Sequence, residues 1–270
     1  MAAITGDDGV RIGYTEHGSP EGRPVVLLAG FKAPATSWLY QVPALVDAGH
    51  RVVAVDLPGH GAAGPLPSGT TMEQRGRDLH TLVEHLDLTG AVLVGGSMGG
   101  NTIWSYTSRY GTGRLGAAVV VDQTPKMLNT ADWRHGFYGY GEHNADTYFA
   151  EGVPGTGHGT PLLRRGVRLA RLLRAMRGTD RSLSGAELEL LQDHAARDWR
   201  DTVARLDVPV LFVAGAESEL WPAGHAAAAA ALAPQGASAV VRSAGHGVNM
   251  ERPPAFNGGL LRFLSRVRGR

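Results

Sequence analysis

The sequence contains no cysteine, which excludes disulfide bonds, thiolate nucleophiles and cysteine-ligated zinc sites. An excess of one charge sign is also missing, because 26 basic residues balance 25 acidic ones and leave a net charge of +1. A chain with so little net charge has no overall field that attracts nucleic acid or an anionic membrane. We therefore expect no nucleic-acid partner.

Long hydrophobic runs are missing as well. No apolar run approaches the roughly 20 residues that a membrane-spanning helix requires, so no membrane span is predicted. The first residues, MAAITGDDGVRIGY, lack the basic segment followed by an apolar segment that marks a secretory signal. With a hydrophobic content of 43% among 270 residues, these features predict an ordinary globular protein of the cytoplasm.

What is present is an alternation of short apolar strands and helix-like segments. The predicted strands cover 25–30, 51–56, 91–96, 117–122, 208–215 and 238–243. Most of these runs are apolar at nearly every position, which is typical of parallel strands that are buried on both faces. The predicted helices cover 37–49, 72–86, 98–110, 222–233 and 253–267. This order predicts an α/β fold with a doubly wound, mostly parallel sheet flanked by helices.

One long segment interrupts the alternation before the penultimate core strands. Residues 126–205 contain no buried-strand pattern, and they pass through glycine- and proline-rich sequence before a helix rich in arginine. An insertion of this length with helices of its own is typical of a lid. We therefore predict an α/β core formed by residues 1–125 and 206–270, with a helical cap at 126–205.

Two features of the predicted cap bear on the substrate. Four aromatic residues are candidates for an apolar substrate pocket, although packing of the cap on the core would explain them equally well. They are Trp133, Phe137, Tyr138 and Tyr140. In the helix at 162–177, Arg164, Arg168 and Arg171 share one face. We interpret this face as a solvated basic surface, with recognition of an anionic substrate as the alternative.

The segment AVLVGGSMGGNTIW places Ser97 between a predicted strand and a predicted helix. Gly95 and Gly99 complete the pattern G-x-S-x-G, in which a sharp strand-to-helix turn exposes the serine hydroxyl. Glycine is needed two residues to either side because larger side chains would collide with neighbouring strands. The helix that follows directs its N–H groups to the site, where they stabilise a developing anion. The pattern predicts a serine nucleophile.

Four motifs together resemble the α/β-hydrolase superfamily, in its branch of serine esterases and haloperoxidase-like enzymes. The motifs are VVLLAGFKAPATSW, VVAVDLPGHGAAG, LVGGSMGGN and AGHGVNMERPPAFNGGLLRFL. The resemblance implies that Ser97 is the nucleophile and that His246, in the loop before the last helix, is the general base. It further implies that the backbone N–H groups of Met98 and Phe31 form the oxyanion hole. No cofactor is implied, and the spacing of the histidines predicts no metal site.

Two carboxylates are candidates for the acid that should orient the histidine. The family's usual acid position, three residues after Gly215, is occupied by Ser218. A minority of relatives take the acid from the end of the strand after the nucleophile strand, which here is Asp122. An aspartate at the end of a buried strand is costly unless it is paired, which favours a role for it. We therefore prefer Asp122, with Glu217 as the alternative acid.

The residues predict acyl transfer through an acyl-enzyme, with a small-molecule carboxylic ester, thioester or lactone as substrate. Serine at position 97 argues against the dehalogenases and epoxide hydrolases of the superfamily, which use aspartate as the nucleophile. A non-hydrolytic enzyme of the same fold, such as a lyase or cyclase, and a catalytically idle binding protein are the alternatives. The sequence leaves the oligomeric state open.

Overall fold

The computed structural model describes residues 1–180 and 182–267. Within these residues the chain forms one eight-stranded sheet. In chain order the strands are β1 (Ala2–Thr5), β2 (Arg11–His17), β3 (Pro24–Leu28), β4 (Arg51–Asp56), β5 (Ala91–Gly96), β6 (Leu115–Val121), β7 (Val210–Gly215) and β8 (Gly236–Val241). Their spatial order is β1-β2-β4-β3-β5-β6-β7-β8. β2 pairs antiparallel with both β1 and β4, and the remaining neighbours are parallel.

The parallel strands β3 to β8 confirm the predicted doubly wound, mostly parallel fold. The two antiparallel strands at the N-terminal end were not predicted from the sequence. β2, RIGYTEH, mixes polar with apolar residues, and only its residues 12–14 are buried. This mixture lacks the continuous apolar run by which the central strands are recognised.

Helices cover both faces of the sheet. They are α1 (Gln41–Asp47), α2 (Met72–His85), α3 (Met98–Tyr110), α4 (Val167–Ala175), α5 (Gly185–Ala196), α6 (Arg200–Ala204), α7 (His225–Leu232), α8 (Val248–Glu251) and α9 (Pro253–Arg266). One apolar cluster joins the sheet to α2, α3, α6 and α7, and a second joins the opposite face to α1 and α9. No helix in the described part of the chain is long and apolar enough to cross a membrane.

Between β6 and β7 the chain leaves the sheet and forms α4, α5 and α6. The two ends of this segment lie together, since the Trp199 N–H donates to the carbonyl oxygen of Pro125 at 2.9 Å. Lys126 and Asp198 form a backbone bridge beside it, and their side chains pair at 3.4 Å. We call these paired ends, residues 125–126 and 198–199, the neck of the inserted segment. The division into a core and a cap at 126–205 remains a prediction, which the neck supports.

Two arginines at the N-terminal end of helix α4, one just before it and one in its first turn, point inwards. Arg165 and Arg168 are buried, whereas Leu163 is 93% exposed and Val167 61% exposed. The arginines contact carboxylates of the core that the sequence pattern does not reveal. The expectation of a solvated basic face on this helix is therefore wrong for Arg168, because an amphipathic pattern does not tell which face is turned towards a partner.

The turn from β5 to α3 requires glycine on both sides of Ser97. A Cβ atom on Gly95 would overlap the backbone of Gly99. A Cβ atom on Gly99 would overlap the carbonyl oxygen of Leu28 and lie 2.8 Å from that of Ala29, at the end of β3. The helix can approach the sheet this closely only because these side chains are absent.

Replacing Gly99 with alanine should destabilise the fold, because the obstructing atoms belong to the backbone and cannot turn away. We expect Gly99→Ala to lower the free energy of unfolding by about 1–3 kcal/mol, the usual cost of overpacking, in urea titrations. Gly113→Ala is the matched control, since a Cβ atom there meets no atom within 4 Å. Equal stability of the two variants would contradict the proposed close approach.

Candidate active site

Ser97 occupies the strained turn between β5 and α3. Its backbone has φ 50° and ψ −127°, a left-handed conformation that residues other than glycine rarely adopt. The Ser97 N–H donates to the carbonyl oxygen of Val121 at 2.9 Å, which fixes the turn against the end of β6. Helix α3 begins at the next residue, so its free N–H groups lie beside the serine.

The loop after β3 lies directly against the serine. A Cβ atom on Gly30 would come within 2.9 Å of the Ser97 Cβ atom and 3.6 Å of its Oγ atom. Phe31 follows Gly30 and lines the same cavity as Ser97, and Met98 is the buried first residue of α3. The oxyanion hole of Phe31 and Met98 N–H groups remains a prediction; Met98 directly follows Ser97, and Phe31 follows the glycine that lies against it.

His246 is hydrogen-bonded to Asp122 rather than to Glu217. Its Nδ1 atom lies 2.8 Å from Asp122 Oδ2, and the Asp122 side chain has no exposed surface. Glu217 instead accepts hydrogen bonds from Thr160 and from Arg168, the latter at 2.9 Å. The structure therefore brings together the preferred acid and the histidine, and it places the alternative acid in an ion pair with the cap.

Asp122 collects several further hydrogen-bond donors. Its Oδ1 atom accepts from the Gly215 N–H at 2.7 Å and lies 3.5 Å from the His225 Nε2 atom. Its Oδ2 atom accepts from Ser218 Oγ at 2.6 Å and from Trp221 Nε1 at 3.2 Å. Burial alone raises the pKa of this carboxyl group, but hydrogen bonds from the two histidines outweigh burial and hold the pKa below its ordinary value.

Ser218 lies against the Asp122 carboxylate. It stands at the family's usual acid position, and its hydroxyl donates to the carboxylate that comes from the end of β6. The two chain segments thus meet at one point, where a short hydroxyl side chain supports Asp122. A serine at this position is the sequence feature that favours an acid elsewhere, and the role of Asp122 as that acid remains a prediction.

The environment of His246 favours its protonated form. Its partial burial opposes a positive charge, but the Asp122 hydrogen bond and the charges of Asp122, Glu219 and Glu251 outweigh this and raise the pKa of His246. Glu219 also touches the residue directly, because its Oε2 atom accepts the His246 backbone N–H at 2.7 Å. The sequence did not predict a role for Glu219, because nothing in the segment SELW at 218–221 indicates that this side chain contacts the loop of His246.

Ser97 and His246 line one cavity of about 520 Å³ between the core and the cap. Most of its lining is apolar, from both sides of the cavity. The core contributes Phe31, Trp38, Val121 and Met250, and the cap contributes Val153, Leu162, Leu169, Leu172, Leu173 and Met176. An opening of this volume and character suits a small organic molecule.

The four predicted cap aromatics do not line this cavity. Phe137 and Tyr140 are buried in an apolar cluster with Trp221 and Phe149, and the Trp133 Nε1 atom donates to the Lys126 carbonyl oxygen at 3.0 Å. Tyr138 stacks on His158, with ring centroids 3.6 Å apart. Their assignment to substrate binding is corrected accordingly: these rings fasten the start of the cap to the core, and the aliphatic residues of α4 face the cavity instead.

Carboxylates and histidines close enough to share a metal ion occur, within the described residues, only at Asp7, Asp8 and Asp78. These three belong to the β1–β2 turn and to α2, and none of them lines the cavity.

Comparison with known proteins gives the family. The family model described as the alpha/beta hydrolase fold matches residues 23–253. A non-heme chloroperoxidase from Kitasatospora aureofaciens is 29% identical over 286 residues, covering 98% of this chain and 100% of that protein. The structure of a bromoperoxidase from Bacillus anthracis superposes with a TM-score of 0.78 at 28% identity, covering 98% of this chain and 100% of that one.

A thermophilic esterase from Thermogutta terrifontis superposes almost as well, with a TM-score of 0.77 at 25% identity over 98% of each chain. The relatives thus include both haloperoxidases and esterases, all on the same fold. The family match extends over most of the chain and includes the strand, turn and helix around Ser97. The chain belongs to the α/β-hydrolase fold family and is an enzyme of that family.

Proposed function

We propose that this enzyme cleaves a small-molecule carboxylic ester, thioester or lactone through an acyl-enzyme, with Ser97 as nucleophile, His246 as base and Asp122 as the orienting acid. The proposal rests on the 2.8 Å contact between His246 Nδ1 and the buried Asp122 carboxylate, at a cavity that Ser97 also lines. An ionised carboxylate only accepts hydrogen bonds, so Nδ1 carries the proton. Nε2 then keeps its lone pair, as a general base requires.

The first half of the reaction transfers the acyl group to the enzyme. Ser97 Oγ attacks the carbonyl carbon while His246 Nε2 takes the hydroxyl proton, and the carbonyl oxygen becomes an oxyanion. The backbone N–H groups of Met98 and Phe31 would donate to this oxygen. When the intermediate collapses, the bond to the leaving group breaks and the imidazolium gives its proton to the departing alcohol, which regenerates a carbonyl in the acyl-serine.

The second half releases the acid. His246 takes a proton from water, whose oxygen attacks the acyl-serine, and the intermediate collapses with the proton returned to Ser97 Oγ. The names of the haloperoxidase relatives favour a second candidate reaction at the same site. If hydrogen peroxide attacks in place of water, the acyl group leaves as a peracid and Ser97 is regenerated in the same way.

The cavity lining supports a substrate with an apolar group and without a free negative charge. Besides His246, its described cationic residues are Lys32 and Arg165, and each is paired with a carboxylate. Lys32 pairs with Glu187 at 2.7 Å, and Arg165 pairs with Glu251 at 2.7 Å. Cations that are neutralised in this way offer little attraction to an anionic substrate, whereas the aliphatic side chains of α4 bury apolar surface.

A fluorophosphonate probe tests the nucleophile and separates this proposal from the two alternatives. We expect intact-mass analysis to show one covalent adduct on the folded enzyme and none on Ser97→Ala, because only an activated serine reacts with the probe. A series of p-nitrophenyl esters of increasing chain length then defines the acyl group. A folded enzyme without adduct or ester turnover would instead favour an idle binding protein or a lyase.

Removing the charge of Asp122 should nearly abolish turnover, whereas removing that of Glu217 should not. For Asp122→Asn we expect kcat to fall by about 10⁴-fold, because an amide no longer holds the imidazole in the required tautomer. Glu217→Gln serves as the matched control, with circular dichroism to verify folding. Loss of turnover in the Glu217 variant alone would transfer the role of acid to that residue.

The pH dependence of kcat/KM should have an acidic limb above pH 6.5. His246 must be neutral to accept the serine proton, and its surroundings raise its pKa above the ordinary value of about 6.5. At pH 6.5 more than half of the enzyme therefore carries an imidazolium and is inactive, and activity rises as the pH increases through the raised pKa. A limb at or below pH 6.5 would contradict this environment for the base.

A further inference from the structure

A buried group of charges joins the cap to the core beside the histidine loop. The Arg165 side chain is only 2% exposed, and its Nη1 atom pairs with Glu251 Oε1 at 2.7 Å. Its Nη2 atom pairs with Glu219 Oε1, and its Nε atom donates to the Thr160 carbonyl oxygen at 2.9 Å. A guanidinium offers five donors in a rigid fork, so one arginine can hold two carboxylates in fixed positions at once.

The second carboxylate oxygen of Glu219 reaches the proposed base. Its Oε2 atom accepts the backbone N–H of His246 at 2.7 Å. Gly245, the residue before the histidine, packs directly against the side chains of this charged group. A Cβ atom on Gly245 would lie 2.7 Å from each of Arg165 Nη1, Glu219 Oε2 and Glu251 Oε1. The backbone at 245–246 is therefore held by the group that Arg165 organises.

A second arginine, in the first turn of α4, holds the start of the same loop. Arg168 Nη1 donates to the carbonyl oxygen of Ser243 at 2.6 Å and pairs with Glu217 at 2.9 Å. It also lies 3.6 Å from Glu251 Oε2. Arg165, just before α4, and Arg168, within it, thus hold the loop that carries His246, at its beginning through Arg168 and at the histidine through Arg165 and Glu219.

We propose that Arg165 is a positioning residue for the general base: it holds Glu219 against the His246 backbone N–H and so makes the geometry of the base depend on the seating of the cap. This rests on the proposed function of His246. Arg165 acts through Glu219 and not on the reacting atoms. If α4 moves away, Glu219 and Glu251 lose their shared cation and repel each other, and the histidine loop loses its support.

The negative charge of Glu219 affects the pH dependence of kcat/KM, which a purely structural contact would leave unchanged. The charged groups that face His246 are Asp122 after β6, Glu219 after β7 and Glu251 in α8. Glutamine at position 219 nearly keeps the size of the side chain and has one oxygen, which can accept from either the His246 N–H or Arg165, but it removes one of the charges that raise the pKa of His246. The acidic limb of kcat/KM should therefore move to lower pH in Glu219→Gln, with the fold intact.

The test compares four single variants of the full-length enzyme on one neutral p-nitrophenyl ester. We expect Arg165→Met to lower kcat by about 10²-fold, as a small displacement of a catalytic group does, and Arg165→Lys to restore part of the loss. Glu219→Gln should shift the acidic limb downwards. Arg174→Met is the control, because Arg174 is exposed in α4, the helix that begins two residues after Arg165, and its loss should leave both kcat and the pH profile unchanged.

Two results would overturn the proposal: a folded Arg165→Met enzyme with the kcat of Arg174→Met, or a Glu219→Gln enzyme whose acidic limb does not move. If Arg165→Met does not fold, Arg165→Lys and Glu219→Gln still decide the question through kcat and the pH profile. The fluorophosphonate adduct on Ser97 is measured in every variant. Its absence from the wild-type enzyme would refute the proposed function itself, which separates that failure from a failure of the positioning role.

Discussion

The architecture of the site depends on one carboxylate that has no contact with solvent. Asp122 is fully buried, and an ionised carboxylate in such a place is tolerated only when hydrogen bonds replace the lost water. Its donors come from the end of β7, from the loop that follows, from the first residue of α7 and from His246. Donors from the C-terminal half of the core thus surround the Asp122 side chain, and the hydrogen bond to this carboxylate orients His246.

The position of Asp122 at the end of β6 also determines what the neighbouring elements do. Asp122 is followed within four residues by the segment that leaves the sheet, so the proposed acid and the start of the predicted cap share one stretch of backbone. The loop after β7 carries a serine at the family's usual acid position. Its Ser218 and Trp221 donate to the acid, and its Glu219 turns to the histidine loop and to Arg165.

The sequence predicted those elements whose conformation depends mainly on neighbouring residues. Strands β4 and β5 and helix α3 lie where their apolar runs and glycines place them, and the turn at Ser97 follows from its glycines. The sequence could not show that Arg168 points inwards, because that depends on Glu217 and Glu251, which are distant in the chain. Phe137 fails as a pocket residue for a similar reason: aromatic content predicts burial, but only the packed fold decides whether a ring meets substrate or protein.

The neck of the inserted segment has a consequence for evolution. Because Trp199 is hydrogen-bonded to Pro125 and Lys126 is bridged to Asp198, the segment enters and leaves the core at neighbouring points. Residues added or removed between these points change the lid without separating β6 from β7, since the cost of closing a loop grows only slowly with its length. Selection can therefore remodel the cavity beside Ser97 by insertion and deletion while the sheet, Ser97 and Asp122 keep their positions.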